Sequence, residues 1–440
     1  METKALQSPL WHPLSQMKDY EAFQPLHVVG ASGSLLMLAD GREIIDVQSS
    51  WWCKALGHQH PRLRAALCEQ AHQLEHVILA NTTNTTIINL SSRLTALTKT
   101  LTKVLYASDG SSAVEMAIKL SLHTHVLKGD HKRTLFVALE NGYHGETVGA
   151  MSVSNLGLYN APYAPLFFKT FMLSPLPYVD SPADPLWDNC ESMWAPIEKQ
   201  LEAAHESIAA IVLEPILQAA AGMKIYSRDF LRRLSVWAKS RGVHIIADEI
   251  MTGIGRTGKM LACEYANIEP DFVCLSKGLT SGWLPLSAVL TTQAIYDLFY
   301  DDYEKGRSFL HSHTYAGNPL AARVAVETLK IVEEEKICDR AVSMGSFMYQ
   351  AMLDIAAQTK KIKNVRGIGG VVAADLICDP DKRMGYAVYR KAVTLGALLR
   401  PLGNTIYWAP PLNTSQDVLE KLKEITAQAI DSICVTEPRP

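Results

Sequence analysis

Between about residue 100 and residue 330 short apolar runs alternate with stretches of helical pattern, with no internal repeat or low-complexity tract to break the alternation. Strand, helix, strand in succession is the order of an α/β protein with a largely parallel sheet, because parallel neighbours need a crossover and that crossover is usually a helix. The predicted strands are 103–107, 134–138, 209–213, 243–247, 272–275 and 286–290, each bounded by polar residues, Gly or Pro. Predicted helices include 112–127, 228–240 and 319–335. The stretch 174–196, with Pro175, Pro177, Pro182, Pro185 and Pro196, is expected to be a long surface excursion, since proline is disfavoured inside packed elements.

The two ends read differently. Segments 35–38 and 43–47 flank Asp40-Gly41, a hairpin signal, and beyond about residue 336 helices mix with short strands such as 370–375. The expected division is a large lobe over 61–335 and a smaller α+β lobe built from 1–60 and 336–440. Composition narrows the function. With 42 Lys+Arg against 45 Asp+Glu the net charge is −3, which argues against a nucleic-acid binder. No apolar run approaches the roughly 20 residues of a membrane-spanning helix, and residues 1–4 lack the basic start of a secretory signal, so a cytoplasmic protein is expected. The eight cysteines, at 53, 68, 190, 263, 274, 338, 378 and 434, form no C-x-x-C pair and are expected to be reduced thiols; no metal site is expected. The sequons at Asn81, Asn84 and Asn89 are read as polar residues of a loop and a helix start.

In open α/β sheets ligands bind beyond the carboxyl ends of the strands, which directs attention to four places. The run Ser108-Asp109-Gly110-Ser111-Ser112 turns a strand into a helix, where free N–H groups and the helix dipole suit a phosphate; an ordinary capped helix start looks the same. The strand 243–247 ends in Asp248, a carboxylate able to keep a heteroaromatic ring nitrogen protonated, or else a salt-bridged strand terminus. The strand 272–275 leads into Lys277, an amine able to form a Schiff base with an aldehyde, or else a snorkelling surface lysine. Asn141-Gly142-Tyr143-His144-Gly145 sets a phenol and an imidazole between glycines, and Tyr143 can stack on a planar ring or simply pack. Phosphate cradle, ring-nitrogen carboxylate, aldehyde-accepting lysine and stacking aromatic together match pyridoxal 5′-phosphate. A literal G-x-G-x-x-G at 253–258 competes, but it sits several residues past its strand and lacks a strand-ending acid about 20 residues on, so the dinucleotide reading fails on context.

With Trp11-His12-Pro13, Ser49-Ser50-Trp51-Trp52, Asn141-Gly142-Tyr143-His144-Gly145, Gly255-Arg256-Thr257-Gly258-Lys259, Gly317-Asn318-Pro319 and Arg400-Pro401, the chain resembles the class III aminotransferases of the type I pyridoxal-phosphate fold over nearly its whole length. Within them it is most similar to the 7,8-diaminopelargonate aminotransferases of biotin synthesis. The resemblance implies that Lys277 forms the Schiff base and shuttles a proton, that Asp248 faces the pyridine nitrogen and that Tyr143 lies by the ring. It implies further that Gly110 and Ser111 take the phosphate, and that His313 and Thr314 reach the neighbouring subunit's cofactor in a homodimer. Trp51, Tyr143, Lys277, Ser312 and Arg400 match positions that meet substrate, expected to be 8-amino-7-oxononanoate with S-adenosylmethionine or lysine as amino donor. An ω-amino-acid or diamine transaminase, or an aminomutase, would share the same residues. Two departures bear on the donor: Leu14 stands where adenosylmethionine-using members carry a tyrosine, and 299–304 is closer to lysine-using relatives.

Overall fold

A computed structural model describes residues 9–433; residues 1–4 and Cys434, read above, lie outside them. At its centre is a seven-stranded sheet. Across it the strands run Leu101–Ala107, Ser287–Thr292, Phe272–Leu275, His244–Asp248, Ile208–Leu213, Leu135–Leu139 and Thr170–Leu173. Ser287–Thr292 is antiparallel to both of its neighbours and the other pairings are parallel, so the sheet is mostly parallel as expected. The central strands read as unbroken apolar runs because both faces are covered: every residue of Ile208–Leu213 and of Phe272–Leu275 is buried. The helices Gly110–Leu127, Arg228–Ser240 and Pro319–Glu334 stand where the apolar periodicity places them. Thr170–Leu173, an edge strand that is half-buried along most of its length, gives too weak a pattern to be read from sequence.

Register decides what the sheet does. Ala138 pairs with Val212, Leu213 with Ala247, and Asp248 with Cys274, so these strands end level with one another. Ser287 pairs with Ala107, which brings the 108–111 turn to the same edge. The residues that follow each strand therefore converge although they are far apart in sequence.

Both chain ends build a smaller α+β part, with antiparallel sheets of Val28–Ser32, Leu35–Leu38 and Glu43–Ile45 and of Ile362–Ile368, Val371–Leu376 and Thr405–Trp408. Backbone bonds stitch the ends together: Ile45 N–H donates to Gly396 O, Leu398 N–H to Ile45 O, and Ala409 N–H to Val47 O. Asp40-Gly41 makes the expected hairpin turn, with Gly41 at φ +87°.

The 174–196 stretch corrects the sequence reading. It is packed, not a surface excursion: Trp187, Cys190, Trp194 and Ile197 are buried in a cluster with Phe230 and Trp237. Pro185 starts the short helix Pro185–Asp188, where a missing N–H costs little, and Pro196 lies inside the helix Glu191–Glu202. Burial of two tryptophans outweighs the one helical hydrogen bond a proline removes. The 253–258 glycines lead through a turn to the short 3-10 helix Ala262–Ala266, not into the helix a dinucleotide site needs. Asn84 caps the helix Thr85–Thr95 by accepting from Ile87 N–H, as the reading of that sequon expects.

Candidate active site

A cavity of about 400 Å³ opens at the level edge of the sheet, lined by Gly110, Ser111, Tyr143, His144, Glu214, Asp248, Lys277, Trp51, Leu14 and Arg400 among others. At one wall the helix Gly110–Leu127 begins. Asp109 caps it, accepting from Ser112 N–H at 2.9 Å and Ser112 Oγ at 2.8 Å. The first N–H groups of a helix have no helical acceptor, so those of Gly110 and Ser111 remain available to an anion at the positive end of the dipole. Space there depends on missing side chains. A Cβ at Gly110 would come within 2.9 Å of Ile250 Cδ1, and one at Gly145 (φ +117°) would collide with Ser111. Ser111 Oγ in turn bonds Thr147 Oγ1 at 2.7 Å and accepts from Thr147 N–H at 3.0 Å, which fixes the cradle.

Asp248, 4% exposed, is held from two sides. Ile250 N–H donates to its Oδ1 at 3.1 Å and His144 Nδ1 bonds its Oδ2 at 2.8 Å. His144 is itself buried, with Nε2 unpartnered. In the sequence this imidazole has no evident role, because its tie to Asp248 spans 104 residues and is invisible in one dimension.

Lys277 follows its strand at φ +41°, with Nζ 5.1 Å from the centre of the Trp52 ring. Burial holds its ammonium below the usual lysine range, opposed by the negative fields of Asp248 and Glu214. More of its amine is thereby free to act as a nucleophile near neutral pH. Tyr143 is half-buried on the cavity wall, its OH donating to Glu146 Oε1 at 3.2 Å, and burial raises its phenol above the ordinary value. Glu214, at the end of Ile208–Leu213, is a residue the sequence reading missed, although the same strand-end rule applied to that strand points to it.

The opposite wall is a backbone oddity. Ser49, Ser50, Trp51 and Trp52 all have φ between +47° and +70°, a left-handed turn of four non-glycine residues. Such a run costs on the order of 1–2 kcal/mol per residue and persists only where its surroundings over-determine it. Here Asp46 accepts from Ser50 N–H and Oγ and from His58 Nε2, and the buried Arg256 donates to Ser49 Oγ, Gly370 O and Pro410 O. The turn sets Trp52 beside Lys277 and Trp51 under Arg400, whose guanidinium carbon is 5.0 Å from the ring centre. Arg400 Nη2 also donates to Leu14 O at 3.2 Å.

Lys277, Asp248, Tyr143, Gly110, Ser111, Trp51 and Arg400 thus share one cavity. Ser312, His313 and Thr314 do not line it. They lie on a segment whose neighbours Leu310 and Tyr315 are 90% and 63% exposed, and within a single chain this segment stands apart from the cavity. The buried amine, the anchored carboxylate and the uncovered N–H cradle fit pyridoxal 5′-phosphate in aldehyde, ring nitrogen and phosphate respectively.

Comparison with known proteins agrees. The description of aminotransferase class-III matches residues 16–430. The adenosylmethionine-8-amino-7-oxononanoate aminotransferase of Helicobacter pylori is 39% identical over 428 residues, covering 96% of each chain. The protein of that name from Synechococcus elongatus is 37% identical over 434 residues, covering 96% of this chain and 99% of its own. Among solved structures, the protein of that name from Methanocaldococcus jannaschii matches with TM-score 0.89 at 33% identity, covering 96% of both chains. An amine transaminase from an uncultivated Pseudomonas species, in its PLP-bound form, matches with TM-score 0.89 at 28% identity over 96% of this chain and 98% of that one.

Proposed function

The chain belongs to the class-III aminotransferases, and within them we propose that it transfers an amino group from adenosylmethionine to 8-amino-7-oxononanoate, giving 7,8-diaminononanoate for biotin synthesis. The observation that carries the reading is the convergence of Lys277, Asp248, Tyr143, Ser111 and Arg400 on one cavity in a chain similar over its length to proteins named for this reaction. Pyridoxal 5′-phosphate is the cofactor, and when bound it supplies an aldehyde for amines and a ring that withdraws electrons from the carbon next to the nitrogen.

The chain's own residues do the rest. Lys277 offers its Nζ as nucleophile and afterwards as the base that carries a proton across the reacting carbon. Asp248 keeps a proton on the ring nitrogen it faces, and His144 keeps Asp248 aimed. The N–H groups of Gly110 and Ser111 bind the phosphate, and Tyr143 lies against the ring. Arg400 grips a substrate carboxylate through its forked donors, with Trp51 under its guanidinium and Trp52 shielding Lys277 from water.

Ser312, His313 and Thr314 serve the partner's site in a homodimer, a role supported by the exposed side chains of Leu310 and Tyr315 on the same segment. The lobes divide at 1–60, 61–335 and 336–440, a division supported by the backbone bonds that tie the two chain ends together. The reaction runs in the cytoplasm, which accords with the seven described cysteines all being unpaired.

Lysine as donor is the second reading, favoured by Leu14, which puts an alkyl chain on the cavity wall next to Arg400. Adding each amine in turn to purified holoenzyme separates the two. Loss of the lysine-linked cofactor absorbance with adenosylmethionine alone supports the main reading; loss with lysine alone replaces the donor.

A further inference from the structure

Glu214 has no part in the roles above, yet it is 5% exposed on the cavity wall. Oε1 accepts from Tyr143 N–H at 3.1 Å and Oε2 from Ala219 N–H at 3.1 Å. The imidazole of His144 forms its ion pair with Asp248 and not with Glu214. A carboxylate has about four acceptor positions, so two N–H groups cover half of them, and a buried anion so thinly covered is costly. The ionisable side chains facing it are Tyr143, His144, Tyr178, Tyr226, Asp248 and Lys277. Burial pushes its carboxyl up to about 7, with His144 pulling down and the anion of Asp248 pushing further up. Near neutral pH, then, Glu214 stands between its neutral and charged forms, and a positive charge arriving in the cavity is what tips it to the anion.

We propose that Glu214 is a positioning residue that supplies the compensating negative charge when the nitrogen at Lys277 is protonated in the cofactor-bound enzyme, while its bond to Tyr143 N–H holds the Tyr143 loop in place. The proposal rests on the cofactor reading given above. Only a proton moves: Glu214 releases it to solvent as the nitrogen gains its charge, and takes it back when that charge leaves.

The test is a pH titration of the lysine-linked cofactor absorbance in wild-type, Glu214→Gln and Glu214→Asp holoenzymes. Removing one negative charge beside a cation lowers the proton affinity of the nitrogen, so the Glu214→Gln midpoint is expected to fall by about one pH unit, a tenfold change. Glu214→Asp keeps the charge while disturbing both backbone bonds, and its midpoint is expected within about 0.3 unit of wild type. An unchanged Glu214→Gln midpoint overturns the proposal, and so do equal shifts in both variants, which would assign the effect to the loop rather than the charge. A wild-type protein without any lysine-linked absorbance overturns the cofactor reading itself, and the proposal with it.

Discussion

In the proposed reading Asp248 keeps a ring nitrogen protonated only while it stays aimed at it, and two donors, Ile250 N–H and His144 Nδ1, fix both of its oxygens. His144→Ala removes one of them and leaves the carboxylate free to swing. A misplaced catalytic group costs on the order of 10²-fold, and the loss is expected in kcat with the acceptor KM little changed, as steady-state kinetics would read. Glu214 gives a pH signature in the cofactor-free protein. Its folded pKa of about 7 lies above the ordinary 4.5, so the stability it contributes is complete below about pH 4.5 and is lost as pH rises through 7. Against Glu214→Gln, wild type is expected to lose about 2 kcal/mol of unfolding free energy between pH 5.5 and 8, measured by urea denaturation at each pH. Asp248 and Lys277 are legible in the sequence because each ends an apolar strand. Glu214 obeys the same rule; the function of His144 does not, since it exists only through a contact between its loop and a strand end far away in sequence.

At the scale of elements, the start of the helix Gly110–Leu127 is a capped turn and, in the proposed reading, also the anion site. Asp109→Ala strips the acceptor from Ser112 N–H and is expected to cost about 1 kcal/mol of stability. It is also expected to weaken cofactor binding, because the cradle N–H groups belong to the turn that frays; unfolding and cofactor titration check the two effects separately. The hydrophobic pattern finds this helix and most strands of the sheet. It does not reveal the left-handed turn at Ser49–Trp52, where nothing in Ser-Ser-Trp-Trp signals positive φ and the conformation is imposed by Asp46, His58 and Arg256. Nor does it anticipate the packing of 174–196, where five prolines mask the burial of Trp187 and Trp194.

At the scale of the molecule, a parallel sheet with level strand ends turns residues scattered from 14 to 400 into one cavity. The alternation along the chain makes that architecture readable, whereas the strand order and the stitching of the chain ends depend on long-range pairing. The proposed homodimer carries its own test. If Thr314 serves the partner's site, mixing Lys277→Ala with Thr314→Asp protomers is expected to restore activity, since one site of each mixed dimer then has both native residues. If Thr314 acts within its own chain, mixing restores nothing. The central claim is tested most directly by running the two half-reactions in order on purified holoenzyme. Adenosylmethionine is added and removed, then 8-amino-7-oxononanoate is added while absorbance and product mass are followed. The lysine-linked absorbance is expected to disappear in the first step and return in the second with stoichiometric 7,8-diaminononanoate. Its return with a different ketone or aldehyde, but not with this acceptor, would contradict the account.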